Sequence, residues 1–290
     1  MYKTTTLEAE LDKVASRVTL SADEKNYVVT GDPRVGNGAS VAFDRVSTTT
    51  AILDKYALRN WMVNTSLGYI QDNWKTFSKE VEKHVDPSGK VKEDKKSQEK
   101  YEEIFDKAKG APNEKRDTAG NYGTRAHSIV QELADGTRED AIPPDLRRVA
   151  SAWKDWIESS ELEIIKTEQP FYWQENGLTF AGTADLIARR DSKIYIVDYK
   201  TGGSDTRWRP YPEMALQLGA YSLCLEYCTG IPVEDMGAIV VKLPKDAPSS
   251  DTNYTVKFKE VEDLSYAREA FLSACFLKSW QSLKSKLWKK

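Results

Sequence analysis

The chain has 290 residues, of which 40% are hydrophobic and 30% charged, with a net charge of −3. That balance suits a globular protein able to bury a sizeable core without disulfides. It weighs mildly against a nucleic-acid-binding protein without excluding one, since local basic patches can coexist with a neutral total, and no apolar run is long enough to span a bilayer.

The three cysteines, Cys224, Cys228 and Cys275, and the absence of a secretory signal fit free thiols in a reducing cytoplasm. Three thiols cannot supply a four-cysteine metal or iron–sulfur site.

In chain order, residues 7–17 read as a short helix. Residues 28–30 and 41–43 read as two strands around a Gly-, Pro- and Asn-rich turn. The hydroxyl run Ser47 to Thr50 reads as the cap of a helix that begins at Ala51 and continues through Trp74 and Phe77. Residues 79–118 mix both charges densely. They read as a turn at Asp86 to Gly89, a solvated helix over Tyr101 to Lys109, and a loop. Tyr122 to Ala134 reads as a helix closed by Gly136, and Pro143-Pro144 opens another.

The period then changes to two. Residues 163–173, 177–190 and 193–200 read as successive strands. A helix over 211–228, strands over 236–243 and 252–259, and a final amphipathic helix over 262–288 follow. This order predicts an α/β (α+β) fold, a central mixed sheet flanked by helices. Residues 1–118 are expected to form N-terminal strands and a mainly helical cap, and residues 119–290 the core.

The chemistry gathers in one stretch. Asp198 and Lys200 end an otherwise apolar strand and, being two apart, share a face. Asp185 lies in the preceding strand, one hairpin away. Two carboxylates and an ammonium converging there are costly to bury unless a cation compensates. Mg²⁺, bound by carboxylates, water and phosphate oxygens, would do so. A bare Asp-x-Lys is more often an exposed ion pair; the apolar strand and the Gly-Thr-Ala-Asp segment before it favour the functional reading. No Walker-type phosphate loop and no Gly-x-Ser-x-Gly elbow is present.

Further elements frame this stretch in order: Gly123-Thr124-Arg125-Ala126-His127; Glu168 with Gln169-Pro170; Gly182 to Asp185; Asp198-Tyr199-Lys200; and Gln217 through Tyr221. Together they resemble the RecB-like and Cas4-like branch of the PD-(D/E)XK nucleases, including its phage-type exonucleases, over about residues 119–245. The resemblance implies a restriction-endonuclease-like core and a Mg²⁺- or Mn²⁺-dependent DNA exonuclease. It implies that His127, Asp185 and Asp198 coordinate the metal with the main-chain carbonyl of Tyr199. Lys200 would be the catalytic lysine and Glu168 a supporting acid. Gln217 and Tyr221 would line the site or touch DNA. Unlike many Cas4-like nucleases, this chain lacks the cysteines for an iron–sulfur cluster, so none is expected.

Arg207-Trp208-Arg209 follows the active strand. A basic–aromatic–basic loop can clamp phosphates and stack a base, or it can be a surface loop with its Trp packed inward. Arg125 is a further candidate phosphate contact. The expected partners are DNA with free ends and recombination, repair or replication proteins, in the cytoplasm of a bacterium or phage-infected cell. The competing reading is a silent DNA-binding protein that keeps the nuclease fold.

Overall fold

Alternating Val, Ile, Phe and Tyr residues make three long antiparallel strands, and shorter strands extend them into one mixed sheet. The computed structural model describes residues 4–53, 56–136, 142–202, 208–244 and 255–283. Its elements are α1 (Thr4–Ala15), β1 (Val18–Leu20), β2 (Asn26–Val29), β3 (Val41–Arg45), α2 (Val46–Thr50), α3 (Tyr56–Asp72), α4 (Trp74–His84), α5 (Lys95–Ala134) and α6 (Arg147–Ser159). They continue as β4 (Glu163–Glu175), β5 (Leu178–Arg190), β6 (Lys193–Gly202), α7 (Pro212–Thr229), β7 (Met236–Pro244), β8 (Lys257–Glu260) and α8 (Leu264–Ser282).

Among the described residues the sheet runs β1-β2-β3-β5-β6-β7-β8, with β4 on the other edge pairing of β5. The β4–β5 hairpin closes through Asn176-Gly177, both at positive φ (51° and 77°), the backbone that a two-residue turn between twisted strands requires. β6 and β7 are parallel, with α7 as their crossover. Gly230, at φ 76°, ends α7 and returns its N–H to the Glu226 carbonyl. Asp263 caps α8 by accepting from the Tyr266 N–H at 2.8 Å.

The chain divides into two compact units, Met1–Leu53 with Arg125–Lys290, and Asp54–Thr124. The first 53 residues therefore join the sheet, whereas the sequence grouped them with the helical region. The reason is non-local. β3 pairs in parallel with β5 at Asp44↔Phe180 and Arg45↔Ala181. Leu7, Leu11 and Val14 of α1 are buried in the core with Phe171, Phe180 and Phe271. Gln169, itself buried, donates from Nε2 to the Leu11 carbonyl at 3.2 Å.

A buried Asp32 pins the β2–β3 loop. It is 1% exposed and accepts from Arg34 at 2.7 Å, from Arg17 at 3.1 Å and from the Tyr172 hydroxyl. The Arg34 guanidinium holds its carboxyl well below the usual range, against burial.

The second unit contains α3, α4 and the first part of α5. Phe77 packs edge-on against Phe105 at 5.1 Å, and Tyr101 lies 4.8 Å from Phe105. Three expectations fail in this part of the chain. The hydroxyl run at Ser47 to Thr50 lies within helix α2 rather than capping a helix from Ala51, because Thr48 and Thr50 turn their hydroxyls back to the carbonyls of Arg45 and Ser47. The long helix expected through Phe77 is interrupted at Asn73. The loop expected after Lys109 is helical, since α5 runs unbroken through Pro112. Strand β1 had no counterpart in the sequence reading. Residues 252–254 of the last expected strand and residues 284–290 lie outside the described residues, as does Arg207.

Candidate active site

The site forms where β5 changes partners. One edge of β5 pairs with β4 along its whole length. Its other edge pairs with β3 at Phe180 and Ala181, then with β6 from Leu186 to Arg190. Gly182 to Asp185 lie in the gap between those two neighbours. Continuing the β5–β6 register would set Tyr199 opposite Ala184. β6 instead peels away, and the Tyr199 N–H donates to Asp185 Oδ2 at 2.6 Å. Asp185 thus replaces a lost ladder partner and stands with its carboxylate between the diverging strands.

Two more ligand-type side chains meet it. His127 of α5 places Nδ1 3.4 Å from Asp185 Oδ1. Glu168 of β4 lies across from Asp185, between the pairs Thr167↔Leu186 and Gln169↔Ala184. Ligand atoms of His127, Glu168 and Asp185 all lie within 4.8 Å of one another. Glu168 sits at φ 45°, a left-handed backbone in mid-strand. Such a conformation costs on the order of 1–3 kcal/mol in a non-glycine residue and persists where the surroundings enforce it. Burial, with the Asp185 charge added, pushes the Glu168 carboxyl up to about 7. Burial pulls the His127 imidazole down, but Asp185 and Asp198 outweigh it and leave the ring easier to protonate than usual.

Asp198 and Lys200 form the other half. Asp198 is 2% exposed. Its Oδ1 accepts from Gln217 Nε2 at 2.9 Å, and its Oδ2 lies 2.5 Å from Lys200 Nζ. That Oδ2 has no well-directed hydrogen bond, despite the close ammonium. Burial pushes the Asp198 carboxyl up to about 6, against the pull of Lys200 and with the Asp185 charge adding to it. Burial lowers Lys200, but Asp198 and Asp185 prevail, so the ammonium is held protonated.

Gln217 also donates to the Tyr221 hydroxyl at 2.9 Å, one turn along α7. Gly182 makes room for the Tyr221 ring, since a Cβ there would lie 2.6 Å from its edge. The Tyr199 side chain is buried. Its hydroxyl accepts from Trp153 Nε1 at 3.0 Å, and its ring stands edge-on to His127 at 6.0 Å.

Residues 146–281 match the model of the PD-(D/E)XK nuclease superfamily. Over that segment, a little under half of the chain, the protein is similar to the PD-(D/E)XK nucleases. No curated protein matches the chain. Among solved structures, one titled "Putative exonuclease" from Eubacterium rectale is 12% identical, with 82% of this chain and 71% of that one covered and a TM-score of 0.36. An alkaline exonuclease from Laribacter hongkongensis is 15% identical over 58% of this chain and 84% of its own, with a TM-score of 0.28. SSO0001 is 17% identical over 44% of this chain, with a TM-score of 0.28, and the match spans 56% of its length.

The fold brings Glu168, Asp185, Asp198, Lys200, Gln217 and Tyr221 together, with His127 from outside the matched segment. PD-(D/E)XK nucleases use divalent metals, and the donors here suit one. An imidazole and two carboxylates within 4.8 Å can share a cation. Asp198 Oδ2, in contact with the Lys200 ammonium but without a well-directed hydrogen bond, adds a further carboxylate oxygen beside them. Asp198, expected among the ligands, lies outside the group of three, and Glu168, expected only to support, lies inside it.

The candidate DNA contacts are less gathered. Arg125 pairs with Asp145 at 2.8 Å. Trp208 is partly buried against the core, and Arg209 is exposed. The three cysteines lie on α7 and α8, where burial raises every thiol, Cys228 and Cys275 to about 12. Lys242 in β7 escaped the sequence reading. Its signal was a single charge in the run Ala238-Ile239-Val240-Val241-Lys242-Leu243. Tyr27, whose hydroxyl lies 2.9 Å from Thr183 Oγ1, escaped it too, because β2 is remote in sequence.

Proposed function

We propose that this protein is a metal-dependent DNA exonuclease of the RecB-like and Cas4-like branch, phage-type and without an iron–sulfur cluster. The observation that supports this most is the meeting of His127, Glu168 and Asp185 beside the Asp198–Lys200 pair. His127, Asp185 and Asp198 would hold Mg²⁺ or Mn²⁺ with the Tyr199 carbonyl, and Glu168 is close enough to join them. A bound divalent ion lowers the pKa of its water and offsets charge on the phosphoryl oxygens.

The chain's own groups do the rest. Asp185 ties that centre to the strand gap through the Tyr199 N–H. Gln217 holds one oxygen of Asp198, so the other is left for Lys200 and a cation. The Lys200 ammonium, kept protonated, orients the attacking water and donates to the scissile phosphate as its charge rises. Trp153 anchors Tyr199, and through it the edge on which His127 rests. Arg125, Arg207, Trp208 and Arg209 are the proposed DNA contacts around this centre. A role in DNA recombination, repair or replication, with partner proteins of those processes, follows from the same resemblance, and the free cysteines fit a cytoplasmic setting. No helix among the described residues is long and apolar enough to cross a membrane.

The test is digestion of end-labelled linear and closed circular DNA, single- and double-stranded, with Mg²⁺, Mn²⁺ or EDTA. Wild type is expected to degrade linear DNA in a metal-dependent way and spare circles, and Lys200→Ala to lose at least 100-fold of the rate, roughly the size of an electrostatic catalytic contact. Equal cutting of circles removes the exonuclease reading. DNA binding with no cleavage under any metal makes the protein a silent DNA binder.

A further inference from the structure

The stretch of β5 that carries Asp185 is laddered on one edge and open on the other. Gly182 to Asp185 follow the last pair with β3 and precede the first pair with β6, so no ladder pairing among the described residues holds that edge. Backbone without ladder partners shifts easily unless side chains fix it. A carboxylate that is to bind a metal ion needs the opposite, a support that keeps its oxygens in place.

Three elements supply that support. The Tyr199 N–H of β6 ties down Asp185 itself. The Tyr221 ring of α7 fills the space that a Gly182 side chain would take. Between these two points, Thr183 Oγ1 shares a hydrogen bond of 2.9 Å with the hydroxyl of Tyr27, from β2. β3 stands between β2 and β5, so the Tyr27 side chain reaches across a whole strand to make this bond. The register agrees with it. Tyr27 is across from Phe43, and the next residue, Asp44, is across from Phe180. Paired residues share a face and successive ones alternate, so Tyr27 lies on the face of Thr183, opposite to that of Gly182. Tyr221 and Tyr27 thus grip the open stretch from its two sides.

We infer that Tyr27 is a positioning residue of the proposed nuclease. Through Thr183 it fixes the open stretch of β5 and sets where the Asp185 carboxylate stands for a divalent ion. Tyr27 lies outside residues 146–281, which match the nuclease model, so it is a support that this chain brings from its N-terminal strands. The inference rests on the metal-dependent nuclease reading and adds a residue to that same site.

Tyr27→Phe and Thr183→Val each remove one hydroxyl and keep the shape of the side chain. Mn²⁺ is titrated calorimetrically into each metal-free protein without DNA, thermal melts are recorded in EDTA, and kcat and KM for linear DNA are measured with Mn²⁺. Each variant is expected to melt close to wild type and to bind Mn²⁺ roughly two- to tenfold more weakly, the size of one neutral hydrogen bond. A fall in kcat with KM for DNA unchanged is expected, because the pair sets a metal ligand and not the grip on DNA. The double variant is expected to lose no more than either single one, since the two hydroxyls make one bond. Thr183→Ser, which keeps the hydroxyl, is expected to bind Mn²⁺ like wild type. A merely structural tie would lower the melting temperature and leave Mn²⁺ affinity as it was. The inference is overturned if Tyr27→Phe and Thr183→Val keep wild-type Mn²⁺ affinity and kcat, if their losses add in the double variant, or if either variant unfolds, which would make the pair a tie of the fold. Wild type that binds Mn²⁺ and cuts DNA while the variants give one of these results overturns this inference alone; wild type that neither binds Mn²⁺ nor cuts DNA overturns the nuclease reading and this inference with it.

Discussion

Glu168 and Asp198 are carboxylic acids held in places where their charge is unwelcome. Burial raises Glu168 to about 7 and Asp198 to about 6. For groups raised in the folded state, the stabilising contribution is complete below their unfolded values and is lost as pH rises through the folded ones. Metal-free protein is therefore expected to lose thermal stability as pH climbs from about 4.5 to about 7. Glu168→Gln is expected to flatten much of that loss. Thermal melts in EDTA across this pH range check it, and an unchanged slope in the variant would count against a buried, uncompensated Glu168. Asp32 has the opposite sign. Its carboxyl is lowered by Arg34, so its contribution is present above the ordinary carboxylate range and lost as pH falls. Asp32→Ala leaves Arg34, Arg17 and Tyr172 around a missing charge. Denaturant unfolding is expected to show a loss of about 3 kcal/mol, the size seen when one partner of a buried pair is removed. The acids Asp185 and Asp198 could be read from the sequence because Asp-x-Lys after an apolar strand is a local pattern. The need for Asp32 could not, since its partners Arg17 and Tyr172 come from other strands or their flanks.

Elements set the site through close approach. α7 and α8 touch at Gly219, where a Cβ would lie 2.6 Å from the Ala267 carbonyl carbon. The obstacle is backbone and cannot step aside. Gly219→Ala is expected to cost about 1–3 kcal/mol by overpacking, measured by denaturant unfolding. Because Gln217 and Tyr221 flank that glycine on α7, cleavage should fall along with stability. Strands β4 to β6 and helix α7 were legible from alternation, an Asn-Gly turn and flanking Gly and Pro. The α5 helix was misread because Pro112 and dense charge are ordinary marks of a loop, and here helical continuity overrides them. The short strand β1 offered only three residues, too few for a period to register.

At the scale of the whole molecule, β1 to β3 of the N-terminal segment are part of the central sheet and not an appendage. Their link to β5 is two parallel pairs, which no local sequence pattern announces. Leu7, Leu11, Val14, Val29, Phe43 and Val46 of this segment are nonetheless buried in the common core. A chain lacking residues 1–53 is expected to be largely unfolded, read as loss of a cooperative thermal transition by circular dichroism. A truncated chain that melts like wild type would mean that the core stands without them.

The claim on which the account turns is that Asp185 organises a metal centre with His127 and Glu168. The most direct measurement is calorimetric titration of Mn²⁺ into metal-free wild type and Asp185→Asn, near neutral pH and without DNA. Saturable binding is expected in wild type, accompanied by proton release as Glu168 ionises, and its loss in the variant while the fold is retained. Equal Mn²⁺ binding by both proteins, or none by wild type, would contradict it.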